Sequence, residues 1–238
     1  MNMTAVDTTV VACCQLTPVF GDPAANRELT ADAITHAAGR GAGVVVLPEL
    51  VSSGYVFRSR DEAQASAETA DGATLDLWAR LAARHEIVIV GGFCEIADGV
   101  LFNSAALVDP GGLRWVYRKA HLWDAESRWF TPGSMPPPVI PTRFGRIAVM
   151  ICYDLEFPEW VRLPALDGAQ LLCAPVNWPA FPRPDGERQP RSCGSRPARP
   201  STGCSSLPAT APARSAASTG SPARSSSTPM DGRWPRRP

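Results

Sequence analysis

Lysine is nearly missing from this chain of 238 residues: Lys119 stands alone against 22 arginines. Histidine (36, 85 and 121) and tyrosine (55, 117 and 153) occur three times each, and none of the seven cysteines forms a Cys-x-x-Cys pair. These scarcities exclude function classes. The Cys and His spacings do not fit a zinc site, so no metal is expected. There is no basic-then-apolar leader, and no apolar run approaches the roughly 18 residues that cross a bilayer. A cytoplasmic chain without a membrane partner is expected, its cysteines mostly reduced and packed as small hydrophobes. Excess charge is absent too. With 23 basic and 23 acidic residues the chain is not a nucleic-acid binder driven by bulk charge. The length suits one domain with a sizeable core.

The zero net charge averages two unlike stretches. Residues 1–190 hold 15 basic and 22 acidic residues; residues 191–238 hold 8 arginines and one acid, Asp231. The last 48 residues contain 11 Ser, 8 Pro and 7 Ala, and Leu207 is their only Leu, Ile, Val or Phe. Such a stretch buries too little apolar surface to offset the entropy of ordering it. The division expected is a domain over residues 1–188 and a low-complexity Ser/Pro/Arg/Ala tail over 189–238. Arginine-for-lysine usage with abundant Ala, Gly and Pro points to a GC-rich gene. Such a gene read out of frame gives mainly Arg, Pro, Ala, Ser and Gly, which suggests a change of frame near residues 187–191.

Within the body, residues 9–16 read as a short buried strand. Asp22-Pro23 is a cap followed by proline at the first helical position. It opens a helix to residue 39 with Leu29, Ala33 and Ala37 on one face. A strand at 44–47 stops at Pro48-Glu49, a loop runs to about Asp71, and a second helix covers about 73–85 with Leu75, Trp78, Leu81 and Ala82 together. Residues 86–96, 100–108 and 113–118 read as strands joined by Asp98-Gly99 and Asp109-Pro110-Gly111-Gly112 turns. After a polar loop come strands at 139–142 and 146–151, a helix at about 158–167 and a strand at 169–174. Mixed β-α-β units with inserted hairpins imply a layered α/β fold.

Four residues at strand ends carry potential chemistry. Cys152 follows an apolar strand and precedes a helix, a place where a thiol can serve as a nucleophile. Glu49 on the rim of the 44–47 strand suits a general base. Lys119 survives where other lysines have given way to arginine, as expected where a compact ammonium is needed, for example to hold an oxyanion. Glu126 lies in the same loop as Lys119 and can orient it. A Cys–His pairing using His85 or His121 is a separate possibility, but it leaves Glu49 and Lys119 without a part.

Together these blocks resemble the nitrilase superfamily of carbon–nitrogen hydrolases. The resemblance rests on Pro48-Glu49, on Tyr117-Arg118-Lys119-Ala120-His121-Leu122-Trp123-Asp124, on Glu126 with Phe130-Thr131-Pro132-Gly133, and on Ile151-Cys152-Tyr153-Asp154-Leu155-Glu156-Phe157-Pro158-Glu159. It runs from about residue 9 to about 182. It implies a four-layer α-β-β-α sandwich, C-terminally incomplete here. It also implies a Glu49, Lys119, Cys152 triad with Glu126 as a second acid, and a thioester acyl-enzyme formed without cofactor. Tyr55, Tyr153, Asn177 and Trp178 fall where the family lines its substrate pocket, with the Tyr153 N–H beside the oxyanion. Cys152 is followed by Tyr-Asp where true nitrilases have Trp-Glu. The amidase and carbamoylase branches are therefore favoured, with a small linear amide or N-carbamoyl amine as substrate. An intact member is expected to form homo-oligomers. Because the pattern stops near residues 184–188, this chain is expected to fold poorly or to be inactive; the contrasting role is a non-catalytic binding or regulatory subunit.

Overall fold

The computed structural model describes residues 8–178 and the backbone of one further strand at 205–209. In chain order the elements are β1 (Val11–Cys13), α1 (Pro23–Gly39), β2 (Val44–Val46), α2 (Arg60–Ala65), α3 (Ala73–His85), β3 (Val88–Ala97), β4 (Val100–Asp109), β5 (Gly112–Arg118), β6 (Val139–Thr142), β7 (Gly145–Val149), α4 (Pro158–Leu166), β8 (Leu171–Pro175) and β9 (Ser205–Ala209). They form two sheets, ordered β1-β2-β3-β4-β5 and β6-β7-β8-β9. The first three strands are parallel, and β3-β4-β5 continue as an antiparallel meander. In the second sheet β7, β8 and β9 are parallel, with β6 antiparallel at the edge.

Most strand residues divide between two apolar clusters, which accounts for the unbroken hydrophobic runs of the parallel strands. Val44, Val46, Val88, Val90, Ala105 and Leu107 meet Ile147, Val149, Leu172 and Cys173 of the other sheet. Val45, Leu47, Ile89, Ala106 and Val108 instead meet Ile34 of α1 and Leu75, Trp78 and Leu81 of α3. On the far side α4 packs Trp160 and Val161 against the inter-sheet cluster. The result is the four-layer α-β-β-α sandwich. Two adjacent glycines of β3 serve its two faces. A Cβ on Gly91 would stand 2.6 Å from the Trp78 ring, and one on Gly92 would stand 2.5–2.6 Å from the Leu50 and Glu49 backbone. The second close approach lets the Glu49 loop lie directly on the strand.

Local signals explain most boundaries. Asp22 caps α1, its Oδ1 accepting the Ala25 N–H at 3.0 Å, with Pro23 at the first turn. The β3–β4 turn uses Asp98 and Gly99, both at positive φ (51° and 76°), as a two-residue hairpin of matching twist requires. Three expectations need correction. The buried stripe of α1 is Asn26, Thr30, Ile34 and Ala37, with Leu29 and Ala33 only half-buried. The polar pair is accommodated by hydrogen bonds: Asn26 Nδ2 donates to Val19 O and Ser52 O, and Thr30 Oγ1 accepts from Trp78 Nε1 at 3.2 Å. The loop before residue 71 contains α2, capped by the Ser59 hydroxyl. The first strand is only three residues long.

Of the tail assigned to residues 189–238, only β9 lies among the described residues, pairing with β8 from Leu171↔Ser205 to Pro175↔Ala209. The rest of that expectation, and the junction at 187–191, fall outside them.

Candidate active site

Glu49 and Lys119 follow the C-terminal ends of β2 and β5, which run the same way in the first sheet, and Cys152 and Asn177 follow those of β7 and β8, which run the same way in the second. That is the end at which open α/β sheets gather their functional loops. Three of the five non-glycine residues at positive φ among the described residues flank this point: Leu50 (48°), Asp124 (48°) and Cys152 (42°). Left-handed backbone is disfavoured for residues with a Cβ, and such strain concentrates at sites where the surroundings over-determine it.

The centre of the cluster is an ammonium between two carboxylates. Lys119 Nζ donates to Glu49 Oε1 at 2.7 Å and to Glu126 Oε1 and Oε2 at 2.9 and 2.8 Å. Lys119 and Glu49 are 0% exposed. Burial alone would lower the lysine's pKa, but the charges of Glu49 and Glu126 outweigh it and hold the ammonium protonated. Glu49 moves the other way. Desolvation raises its carboxyl above the ordinary range, and the Lys119 charge and the Asn103 hydrogen bond only partly oppose this.

The two acids differ in what remains free. Glu126 accepts from Lys119 at both oxygens, from Asn103 Nδ2 at 3.1 Å, from the Tyr55 hydroxyl at 2.8 Å and from the Trp123 N–H at 2.7 Å. Its lone pairs are filled, so it can orient but has no site left to take a proton. On Glu49, Oε1 accepts from Lys119 and from Asn103 Nδ2 at 2.9 Å, while Oε2 accepts the Asn177 N–H at 3.0 Å. Cys152 is 2% exposed, and its thiol lies beside the Glu49 carboxylate and the Asn177 N–H, both of which act on its pKa. Burial and then the Glu49 charge push the thiol well above its ordinary pKa, against the pull of Lys119. The thiol therefore rests protonated, next to Glu49.

The sequence profile of carbon-nitrogen hydrolases matches residues 10–217. The chain belongs to the carbon-nitrogen hydrolase family. The match runs on past residue 188. Among curated relatives, a nitrilase of Pyrococcus abyssi is 37% identical over 168 residues, 70% of this chain and 64% of the relative. An (R)-stereoselective amidase of Pseudomonas sp. is 36% identical over 158 residues, 66% of this chain and 56% of the relative. The chain thus spans a little under two thirds of the length of such family members. A solved structure of an amidase mutant from Nesterenkonia sp. AN1, with acrylamide joined by Michael addition to its active-site cysteine, superposes with a TM-score of 0.62 at 29% identity. That superposition covers 71% of this chain and 67% of the amidase.

Glu49, Lys119, Glu126 and Cys152 are brought together as one bonded cluster. Tyr55 enters it through Glu126, and Asn177 through its backbone N–H to Glu49. Tyr153 follows the thiol, its ring 5.3 Å from that of Phe157. Trp178 is packed in the inter-sheet core with its Nε1 buried and without a hydrogen-bond partner among the described residues. Sequence reasoning passed over Asn103, which bridges both carboxylates from β4. An asparagine inside a mostly apolar ten-residue strand was the available signal, since strands disfavour it. His121 is bonded to Asp154, and His85 ends α3 on the opposite face of the first sheet. Among the described residues no group of His, Cys, Asp and Glu could hold a metal ion, and no helix is long and apolar enough to cross a membrane.

Proposed function

We propose that this site hydrolyses a non-peptide carbon–nitrogen bond, in a linear amide or an N-carbamoyl amine, releasing ammonia through a thioester on Cys152. The observation that carries this reading is the arrangement around Glu49. Its carboxylate touches both the Cys152 thiol and, at 2.7 Å, the buried Lys119 ammonium.

In the first half-reaction Glu49 takes the thiol proton as the sulfur attacks the carbonyl carbon. The raised pKa values of both groups favour this coupled transfer over a standing thiolate. The oxygen of the tetrahedral intermediate becomes an anion. Lys119 stabilises it with its charge and with one N–H turned from a Glu126 oxygen to the oxyanion, and the Tyr153 backbone N–H is the second donor. The intermediate collapses with breakage of the C–N bond. Glu49 returns its proton to the leaving nitrogen, and ammonia departs. In the second half-reaction Glu49 deprotonates a water that attacks the thioester; the acid leaves and the sulfur recovers its proton. Glu126 holds Lys119 throughout and transfers nothing.

The Tyr153-Asp154 pair after the nucleophile and the amidases among the relatives support amides over nitriles. Ammonia release measured on a panel of linear amides, N-carbamoyl amines and nitriles tests the reading. Turnover of an amide or carbamoyl substrate, lost in Cys152→Ala with the fold retained, is the expected result. A folded chain that turns over none of them would leave the non-catalytic binding role. Turnover confined to nitriles would place the site in the other branch.

A further inference from the structure

The roles assigned so far leave one buried network without a part. Asp154 is fully buried two residues after Cys152, and desolvation raises its carboxyl pKa. Its Oδ2 accepts the Tyr117 hydroxyl at 2.8 Å and the Ile151 N–H at 3.2 Å. Its Oδ1 accepts the His121 N–H at 2.9 Å and lies 2.7 Å from His121 Nδ1. Tyr117 in turn accepts from Trp160 Nε1 at 2.9 Å. The His121 ring is stacked on Phe157, with centroids 3.8 Å apart.

Two features of this network bear on the nucleophile. It closes around Cys152 from both sides, since the Asp154 N–H also donates to Ile151 O at 3.0 Å. Cys152 lies inside that small ring at a φ of 42°, a conformation that relaxes unless something holds it. The outer anchors come from the lysine's own segment: Tyr117 and His121 stand two residues before and two after Lys119. One carboxylate thus ties the turn that carries the sulfur to the segment that carries the ammonium. An apolar residue would fill the space without the cost of burying an acid.

We infer that Asp154 is a positioning residue: gripped by Tyr117 and His121, it holds Cys152 in its left-handed turn and sets the sulfur against Lys119 and Glu49. The inference rests on the reading of Cys152 as nucleophile. It adds a requirement for that sulfur's placement, fixed by groups that touch neither substrate nor thiol.

The test uses the full chain carrying Asp154→Asn, Tyr117→Phe or His121→Asn. Three quantities are measured: kcat and KM for ammonia release, melting temperature, and the pH profile of Cys152 alkylation by iodoacetamide from about pH 6 to 10, read by peptide mass spectrometry. Exposed Cys13 is the internal reference. Asp154→Asn is expected to lower kcat about 100-fold with KM little changed, because a displaced nucleophile loses its attack geometry. Tyr117→Phe, which removes one anchor and keeps the ring, should lower it about 10-fold. In both, the Cys152 profile moves to lower pH as the sulfur leaves the buried position beside the Glu49 charge that holds its pKa up, while Cys13 does not change. If Asp154→Asn does not fold, Tyr117→Phe and His121→Asn carry the test. Unchanged kcat and an unmoved Cys152 profile in the folded variants overturn the inference. So does a loss of activity that only tracks the loss of folded protein. The alkylation arm needs no turnover, so a parent chain that releases no ammonia would sink the functional reading and still leave this one readable.

Discussion

Arg118 and Lys119 are consecutive, and each meets buried acid on its own face of the first sheet. Arg118 lies opposite Ser104 in the ladder, and the Lys119 N–H donates to the carbonyl of Asn103, the preceding residue of the same strand. On the Arg118 face Glu95 receives Nε at 2.9 Å and Nη2 at 2.6 Å, a two-pronged grip that the Ser104 hydroxyl completes. The guanidinium stands 3.8 Å over the Phe102 ring and its side chain remains 39% exposed. This is one cation for one carboxylate, with the head near water, as expected of a structural pair. On the Lys119 face one fully buried ammonium serves two carboxylates, Glu49 at 0% and Glu126 at 6% exposure. That is an expensive way to stabilise a fold, because the desolvation of three ionisable groups is set against two attractions and one repulsion. The difference separates a pair that holds a sheet from the cluster on which the proposed chemistry rests.

Lys119→Met should give the largest effect. The apolar chain keeps the volume and removes the oxyanion donor, so ammonia release is expected to fall about 10³-fold in kcat/KM. If turnover survives, the contrast between the two faces collapses. Asn103→Ala should come next, at about 10-fold in turnover with a pH signature. The Asn103 amide lowers the Glu49 pKa, so its loss raises that pKa further. Glu49 is then free to accept a proton only at higher pH, and the acid limb of the kcat profile moves up. An unmoved limb would mean that Asn103 supports only the fold.

Arg118→Ala should behave oppositely. Leaving Glu95 without its partner costs about 1–2 kcal/mol in urea unfolding, kept modest by the exposure of the guanidinium. Turnover per folded molecule should be retained; a loss as large as that of Lys119→Met would erase the distinction. The smallest effect concerns the resting thiol. The Glu49 charge raises the Cys152 pKa and Lys119 lowers it. The pH midpoint of Cys152 alkylation should therefore shift down in Glu49→Gln and up in Lys119→Met. Shifts of the same sign in both would contradict the electrostatics described for the thiol.

Much of this molecule was legible in one dimension. Asp22-Pro23 started α1, Asp98-Gly99 turned the β3–β4 hairpin, and Leu75, Trp78 and Leu81 marked the buried face of α3. Each signal spans a few residues, the range over which capping, turn conformation and helical period act. The α1 face was misjudged because Asn26 and Thr30 are buried through partners that lie 7 to 48 residues away. Asn103 was missed for the same reason: it matters only through Glu49 and Glu126, neither of them its neighbour in the chain.

The scarce residues hold the clearest division of what was known at each level. One lysine and three tyrosines can be counted without any structure, and the lysine's place among Glu and Cys residues at strand ends was enough to mark a candidate site. Counting could not say that Tyr55 closes the lone pairs of Glu126, that Tyr117 reaches Asp154, or that Glu49 is the acid with an oxygen turned to the thiol. Those assignments depend on which donors saturate which acceptor. Saturation is settled between groups as much as 128 residues apart in the chain, when two sheets close on one another and exclude the water that would otherwise fill every lone pair.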